Sequence, residues 1–423
     1  MHGKRTTDKQ TGRGALIGAA FLMATSAVGP GFLTQTATFT ASLGPSFGFV
    51  ILISLVVSAI AQLNIWRVLC CSGLRGQDVA NRLLKGLGYA LAALIALGGL
   101  AFNIGNVGGG ALGFNALFGI PDTVGCVLAG LSAIVIFLFK KARTVADRVV
   151  RILGVLMILV ILVTAILTRP PLFDALKNTF LPSAKPAALF PAALTLLGGT
   201  VGGYITFAGA HRLIDGGVTG KAHLREIGRS AVLGIGIAAV FRVLLFLAVL
   251  GTVTRFPGVD LSDPSRNAAI AGVPAYGGIA NPAAYAFRLG AGELAYRFAG
   301  LVLLAASITS IIGAAYTSVS FLKTFHPSVA RNENRWIIGF IAVSTLIMTV
   351  LGGAAKLLVI VSALNGLILP VTLGVCLIAA KSKRIMGADY THPAWLWALG
   401  VAAALASAYV GVTSFGNLFS LFQ

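Results

Sequence analysis

Gly198-Gly199-Thr200-Val201-Gly202-Gly203-Tyr204 lies near the middle of the chain, inside an apolar run from about Ala188 to Ala210. Four of these seven residues are glycine. A glycine in a helix interior costs roughly 1 kcal/mol relative to alanine, so the stretch predicts a helix that breaks part-way along. A second interruption, Gly29-Pro30-Gly31-Phe32, falls in the first apolar run, Ala15 to Thr38. Two such breaks facing each other organise the rest of the chain.

The surroundings are apolar throughout. Of 423 residues, 57% are hydrophobic and only 10% charged, and the mean hydropathy is +0.92. That balance excludes a soluble domain and predicts an all-α polytopic membrane protein. Met1 to Arg13 is polar and basic, and the apolar run after it is too long for a cleavable signal peptide. Further spans are expected at about 47–68, 88–114, 123–139, 149–167, 231–253, 293–321, 336–351, 357–380 and 393–413, eleven with the two broken ones. Cys70, Cys71, Cys126 and Cys376 have neither disulfide nor zinc spacing and read as buried free thiols.

The formal net charge of +20 is distributed, not clustered. With the N-terminus cytoplasmic, 23 of the 32 lysines and arginines fall on inner segments, eight on outer ones and one, Arg242, within a span. The asymmetry predicts a multi-pass protein of the cell (inner or plasma) membrane, N-terminus in and C-terminus out. It excludes a nucleic-acid-binding patch. Lys140–Arg151 is expected to be a short amphipathic link, and Arg255–Arg288 a partial lid over the outer mouth.

Five spans separate the breaks, so spans one to five would recur inverted as spans six to ten, the design of secondary transporters. The expected organisation is a cytoplasmic tail (1–13) and a single transmembrane domain (14–423). Within it, repeat one covers about 14–168, repeat two about 187–381 and an extra helix about 393–413.

Backbone freed at a break in lipid needs partners in protein, water or substrate. Candidate substrate-binding groups are Gly29, Gly31, Thr34, Gln35 and Thr36 at the first break, with Gly199, Thr200, Gly202, Gly203 and Tyr204 at the second. Asn103 and Asn106, three apart on one helical face, and Asn365 add side chains. Span eight offers Ser307, Thr309 and Ser310. Such hydroxyls and amides also serve as plain interhelical ties. None of the twelve acidic residues falls at mid-span, and no histidine falls at a break. This pocket of neutral donors and helix termini suits a neutral or anionic ligand, and no metal site is expected. His211, Arg212 and Asp215 close span six, as an Arg–Asp pair at the helix end or as a proton-sensitive inner gate. Arg242 needs a partner or water and is a candidate gate or anion guide. Signatures of hydrolases, P-loop enzymes and zinc proteases are missing, so no enzyme and no cofactor is expected.

The run Asn103 to Ile120, the eleven spans, the broken first and sixth helices and the Gly-Thr-Val entry to the second break resemble the Nramp family of proton-coupled divalent-metal transporters. The resemblance covers nearly the whole chain and implies a LeuT-like fold of the APC superfamily. The family's Asp-Pro-Gly-Asn is replaced by Leu33-Thr34-Gln35-Thr36, its Met-Pro-His by Gly202-Gly203-Tyr204, and its span-three acids by Asn103 and Asn106. The chain looks like a divergent, YcsG-like bacterial branch without the metal-binding motifs. That implies a small organic anion such as 5-oxoproline, or bicarbonate, moved by alternating access. A permease for Mg²⁺ or Mn²⁺ and a transport-inactive sensor or scaffold are the alternatives. The expected partners are the bilayer and a small-molecule or ion substrate, with no nucleic acid and no obligate protein partner.

Overall fold

A computed structural model describes residues 28–261, 266–267, 270, 273 and 281–420. Among these residues there is no β-strand. The helices are α1 (Pro30–Leu43), α2 (Phe47–Ser72), α3 (Gly76–Leu83), α4 (Leu87–Phe118), α5 (Asp122–Leu138) and α6 (Lys140–Thr168). They continue with α7 (Leu172–Phe180), α8 (Pro186–Val201), α9 (Ile205–Asp215), α10 (Leu224–Arg255), α11 (Pro282–Ala291) and α12 (Glu293–Leu322). The last are α13 (Pro327–Arg331), α14 (Glu333–Leu351), α15 (Ala354–Lys381), α16 (Lys383–Met386) and α17 (Ala394–Ser420).

Among the described residues, eight stretches are long and apolar enough to cross a membrane, or nine if the pair Ile152–Thr168 and Leu172–Phe180, bent by 109°, is one span. One of the eight, Pro30–Ser72, holds two helices joined by the turn Gly44–Ser46, and α5 is a shorter apolar helix of 17 residues. Each of the eleven expected spans thus has its helix. The first half of span one, 15–27, lies outside the described residues.

Two expectations are corrected. The basic stretch 140–151 is not a separate link: helix α6 begins at Lys140 and runs unbroken to Thr168. Its alanine, arginine, lysine and valine content carries no breaker, so the helix simply continues out of the apolar zone. Of the cysteines, all free, Cys71 is only half-buried while the other three are buried.

The broadest packing joins α4 to α12, with α15 against both α4 and α8. Small residues permit it: a Cβ on Gly113 would lie 2.7 Å from the Leu304 backbone nitrogen, and one on Gly110 would lie 2.6 Å from the Ala129 Cβ. Close backbone approach of this kind replaces the hydrophobic driving force that lipid removes. The connection between α16 and α17 is pinned onto α2. His392 is buried between Asn64 Oδ1 (3.0 Å) and the Tyr390 hydroxyl (2.8 Å). The Asn64 amide nitrogen already donates to the Ile60 and Leu396 carbonyls. Its oxygen therefore accepts from His392 Nε2, and Nδ1 accepts from Tyr390, which selects the neutral ring.

Candidate functional site

The second break is as expected. Helix α8 ends at Val201, α9 starts at Ile205, and Gly203 has φ +54°, a left-handed conformation that favours glycine. The Gly202 N–H reaches back to the Leu197 carbonyl at 3.0 Å, and the Gly202 carbonyl accepts from Ile205 N–H at 3.2 Å. The glycines have a packing role too. A Cβ on Gly198 would collide with the Ser362 carbonyl, and one on Gly203 with the Asn365 side chain. A Cβ on Gly202 would lie 2.5 Å from the Asn365 carbonyl. Helix α15 fills the bend, and Asn365 acts as a tie, its amide donating to Gly98 (3.0 Å) and Val361 (2.9 Å) carbonyls. Its Oδ1 alone is left without a partner.

At the first break Gly29 is extended (φ −93°, ψ −172°) and Pro30 opens α1, a position where its missing N–H costs nothing. Gly31 and Phe32 are therefore inside the helix, and the described non-helical residues before it are Val28 and Gly29. Gln35 joins the two breaks. Its Nε2 donates to Ser362 Oγ at 2.5 Å, and its unpartnered Oε1 faces Gly199, where a Cβ would lie 2.9 Å away. Gly31 is close to the same amide, its Cβ position 3.2 Å from Nε2. The hydroxyl hydrogens of Thr34, Thr36 and Thr200 go to their own helices, on Pro30, Phe32 and Leu196 carbonyls. Their oxygens remain acceptors. Thr34 uses this to receive Asn281 Nδ2 at 3.3 Å from the start of α11.

The two span-three asparagines part company. Asn103 Nδ2 donates to Ser344 Oγ on α14 at 3.0 Å, so it braces span nine. Asn106 turns to the first break. A Cβ on Gly29 would lie 3.1 Å from Ser310 Oγ and 3.9 Å from Asn106 Oδ1. The Tyr204 hydroxyl is within hydrogen-bonding reach of the Asn106 side chain, although neither amide atom makes a bond of strict geometry. The Tyr204 ring packs edge-on to Phe102, centroids 5.7 Å apart. Ser307 Oγ, Ser310 Oγ and Thr206 Oγ1 are also buried without partners. Buried polar atoms are normally paired, so this concentration around the breaks makes these side chains the candidates for contact with a ligand or ordered water.

Arg242 lies beside them, 4% exposed in mid-α10. Its Nη1 donates to Thr200 Oγ1 at 3.1 Å, and the guanidinium sits 4.0 Å from the Phe32 ring centroid. Nε and Nη2 have no partner. A cavity of about 20 Å³, bounded by Ser54, Ser58, Thr200 and Arg242 among others, adjoins it. That is room for about one water. Among the described residues, no three His, Cys, Asp or Glu side chains converge.

At the far end of α9 the expected pairing is corrected. Arg212 is exposed, and Asp215 pairs instead with Arg75 at 2.8 Å, 140 residues away. Arg75 caps α3, whose first N–H, on Gly76, donates to His211 Nε2 at 3.3 Å. His211 is buried against Phe207 and Phe321, with ring centroids at 5.8 and 5.3 Å. Residues that sequence reasoning missed are Ser362, Asn281, Ser58 and Arg75. Ser362 was signalled by its spacing of three from Asn365, and Asn281 by the cap signature Asn-Pro.

Comparisons with known proteins bear on the family and the fold. The Nramp profile, natural resistance-associated macrophage protein-like, matches residues 20–415. The membrane protein YcsG of Bacillus subtilis (strain 168) is 50% identical over 410 residues, covering 97% of this chain and 96% of its own. The manganese transporter of Eremococcus coleocola superposes with TM-score 0.73 at 18% identity, covering 96% of this chain and 87% of its own. MhsT, solved with L-phenylalanine, gives TM-score 0.61 at 17% identity over 95% of this chain and 98% of its own. The structural likenesses establish the LeuT-like fold alone. Together with the profile match and the YcsG likeness, they identify the chain as a multi-pass membrane transporter that belongs to the Nramp family.

Proposed function

We propose that the chain is a secondary transporter that moves a small anionic or zwitterionic solute by alternating access. The observation that carries this reading is Arg242. It is a buried cation with two unpartnered nitrogens, no carboxylate in contact among the described residues, and direct contact with Phe32 of α1 and Thr200 of α8. An uncompensated charge at that depth is costly, and a carboxylate or bicarbonate oxygen would satisfy it. Gln35 Oε1, the Asn106 amide, Ser307 and Ser310 then offer neutral groups for the rest of the solute. His211, Asp215 and Arg75 form the inner gate of this reading, in a cell membrane with the N-terminus inside. Arg212 stands at its rim.

A divalent-metal reading is favoured by family membership and by the manganese transporter among the fold neighbours. The unpartnered oxygens of Asn106, Ser307 and Ser310 could serve a partly hydrated ion. A guanidinium beside the breaks opposes it by charge. Proteoliposome uptake decides between them, with 5-oxoproline, other small carboxylates and bicarbonate set against Mn²⁺ and Mg²⁺. The anion reading expects saturable carboxylate uptake that Arg242→Met abolishes. Saturable Mn²⁺ or Mg²⁺ uptake that survives Arg242→Met and is lost in Asn106→Ala would sink it.

A further inference from the structure

A second, separate cavity opens on the outside of the bundle, between α4, α12 and α14. It measures about 630 Å³, and its walls include Leu97, Leu100, Phe325, Phe340 and Val343. The groove has a direction. On α14 its lining runs from Arg335 to Val343, eight residues or about 12 Å of helix rise. The cation and Trp336 stand at the polar end of that helix, and the apolar residues lie along its deeper part. Leu97, Trp336 and Val343 are exposed, which in a membrane protein means exposed to lipid.

Two further observations fit an occupant. Glu333, the acid nearest Arg335 in sequence, is taken up by Lys323 at 2.7 Å, and among the described residues no carboxylate pairs with Arg335. Gly339 sits in the groove with nothing within 4 Å of where a Cβ would be, so the space in front of it is open. A free guanidinium and a tryptophan at the interface end, above an apolar trough, match the polarity of a phospholipid: phosphate at the head, acyl chain below.

We propose that this groove is a binding site for an anionic phospholipid, with the headgroup phosphate on Arg335 and one acyl chain laid between α4 and α14 past Gly339. Trp336 stands at the level of the glycerol backbone. Basic pockets between membrane helices take anionic headgroups by the same chemistry. The groove neighbours Asn103 and Ser344 in sequence, through Leu100 and Val343, but none of its walls is a group assigned to the solute, so lipid retention and solute uptake are read separately.

The test is native mass spectrometry of the full chain released from nanodiscs of phosphatidylcholine doped with phosphatidylglycerol, paired with thermal melting in both lipid backgrounds. The wild type is expected to retain phosphatidylglycerol preferentially and to melt higher in its presence. Arg335→Gln, an exposed position that the fold tolerates, should cut that retention at least several-fold. Gly339→Phe should fill the trough and do the same. Gly236→Phe on α10, also facing open space, is the control for added bulk and should retain wild-type lipid. Equal retention of phosphatidylglycerol by wild type, Arg335→Gln and Gly339→Phe would overturn the proposal, as would retention of phosphatidylcholine at the same level.

Discussion

The two ends of the helices that carry the breaks are fastened by different chemistry. At the Asp215 end, α9 is held to α3 by an ion pair and by a backbone N–H on His211, and to α12 by ring contacts of Phe207 and His211 with Phe321. The turn after α9 is held too, through Gly220 N–H on the Cys70 carbonyl at 2.9 Å and Lys221 near Asp389 at 3.7 Å. At the Asn281 end, α11 is tied to α1 by the neutral and rather long bond from Asn281 to Thr34. Such a bond contributes about 1 kcal/mol, whereas the other end combines several contacts of different kinds. Helix α11 is held further by Asn267 Nδ2 on the Tyr285 hydroxyl (3.1 Å) and Thr252 Oγ1 on the Ala286 carbonyl (3.4 Å). The difference is therefore one of kind: charge and rings at the Asp215 end, neutral hydrogen bonds between α11 and its neighbours at the other.

The largest effect that tests this contrast is one of pH. Burial, then Arg67 and Lys381 nearby, lower the His392 pKa from 6.5 to about 4. The unfolded chain binds this proton first, so the stabilisation is fully present above about pH 6.5 and is lost as pH falls towards 4. At 1.36 kcal/mol per pKa unit the loss is at most about 3 kcal/mol. Melting of the wild type should fall through that window, and His392→Gln should flatten the fall. An unchanged slope in the variant would remove His392 from the fastening of that end.

Gly76→Leu comes next. A Cβ there already lies 2.5 Å from Phe207 Cε1, and overpacking of this kind costs about 2 kcal/mol. Hydrogen exchange of Ile205–Asp215 should quicken while that of Pro282–Ala291 stays as it was. Asn281→Ala should do the converse at about 1 kcal/mol, the worth of a helix cap. If it quickened α9 as well, the two ends would be one cooperative unit and the contrast would fail. Arg75→Gln is smaller, about 0.5 kcal/mol, because the pair is 30% and 41% exposed and is screened by salt. Its effect should vanish in high salt. Arg212→Gln, exposed and outside that pair, should change exchange at neither end.

How much of this could be read from the sequence depends on distance along the chain. Hydropathy periods and glycine runs are local, so the spans and the bend at Gly202–Tyr204 were legible. The basic run from Lys140 was misjudged because charge marks where a helix leaves the membrane, not where it stops. Arg242 was legible as an anomaly, but its partner Thr200 is 42 residues away and its ring partner Phe32 farther still. Arg212 was paired with the nearest acid, three residues on, whereas the fold brings Arg75 from another helix. Asn103 and Asn106 share a face, yet one meets Ser344 and the other the first break, because α14 and α1 flank that face on either side. Sequence spacing gives the face and not the neighbour.

The fit of α15 into the sixth-span bend has a mechanical consequence. Straightening α8 and α9 would require the Ser362 to Gly366 segment to back out of the gap that the glycines leave for it. The bend is therefore a fixture and not a joint, and α8 travels with α15 as one strut. A cross-link between those two helices should therefore leave uptake intact, and loss of uptake on cross-linking would show that they separate.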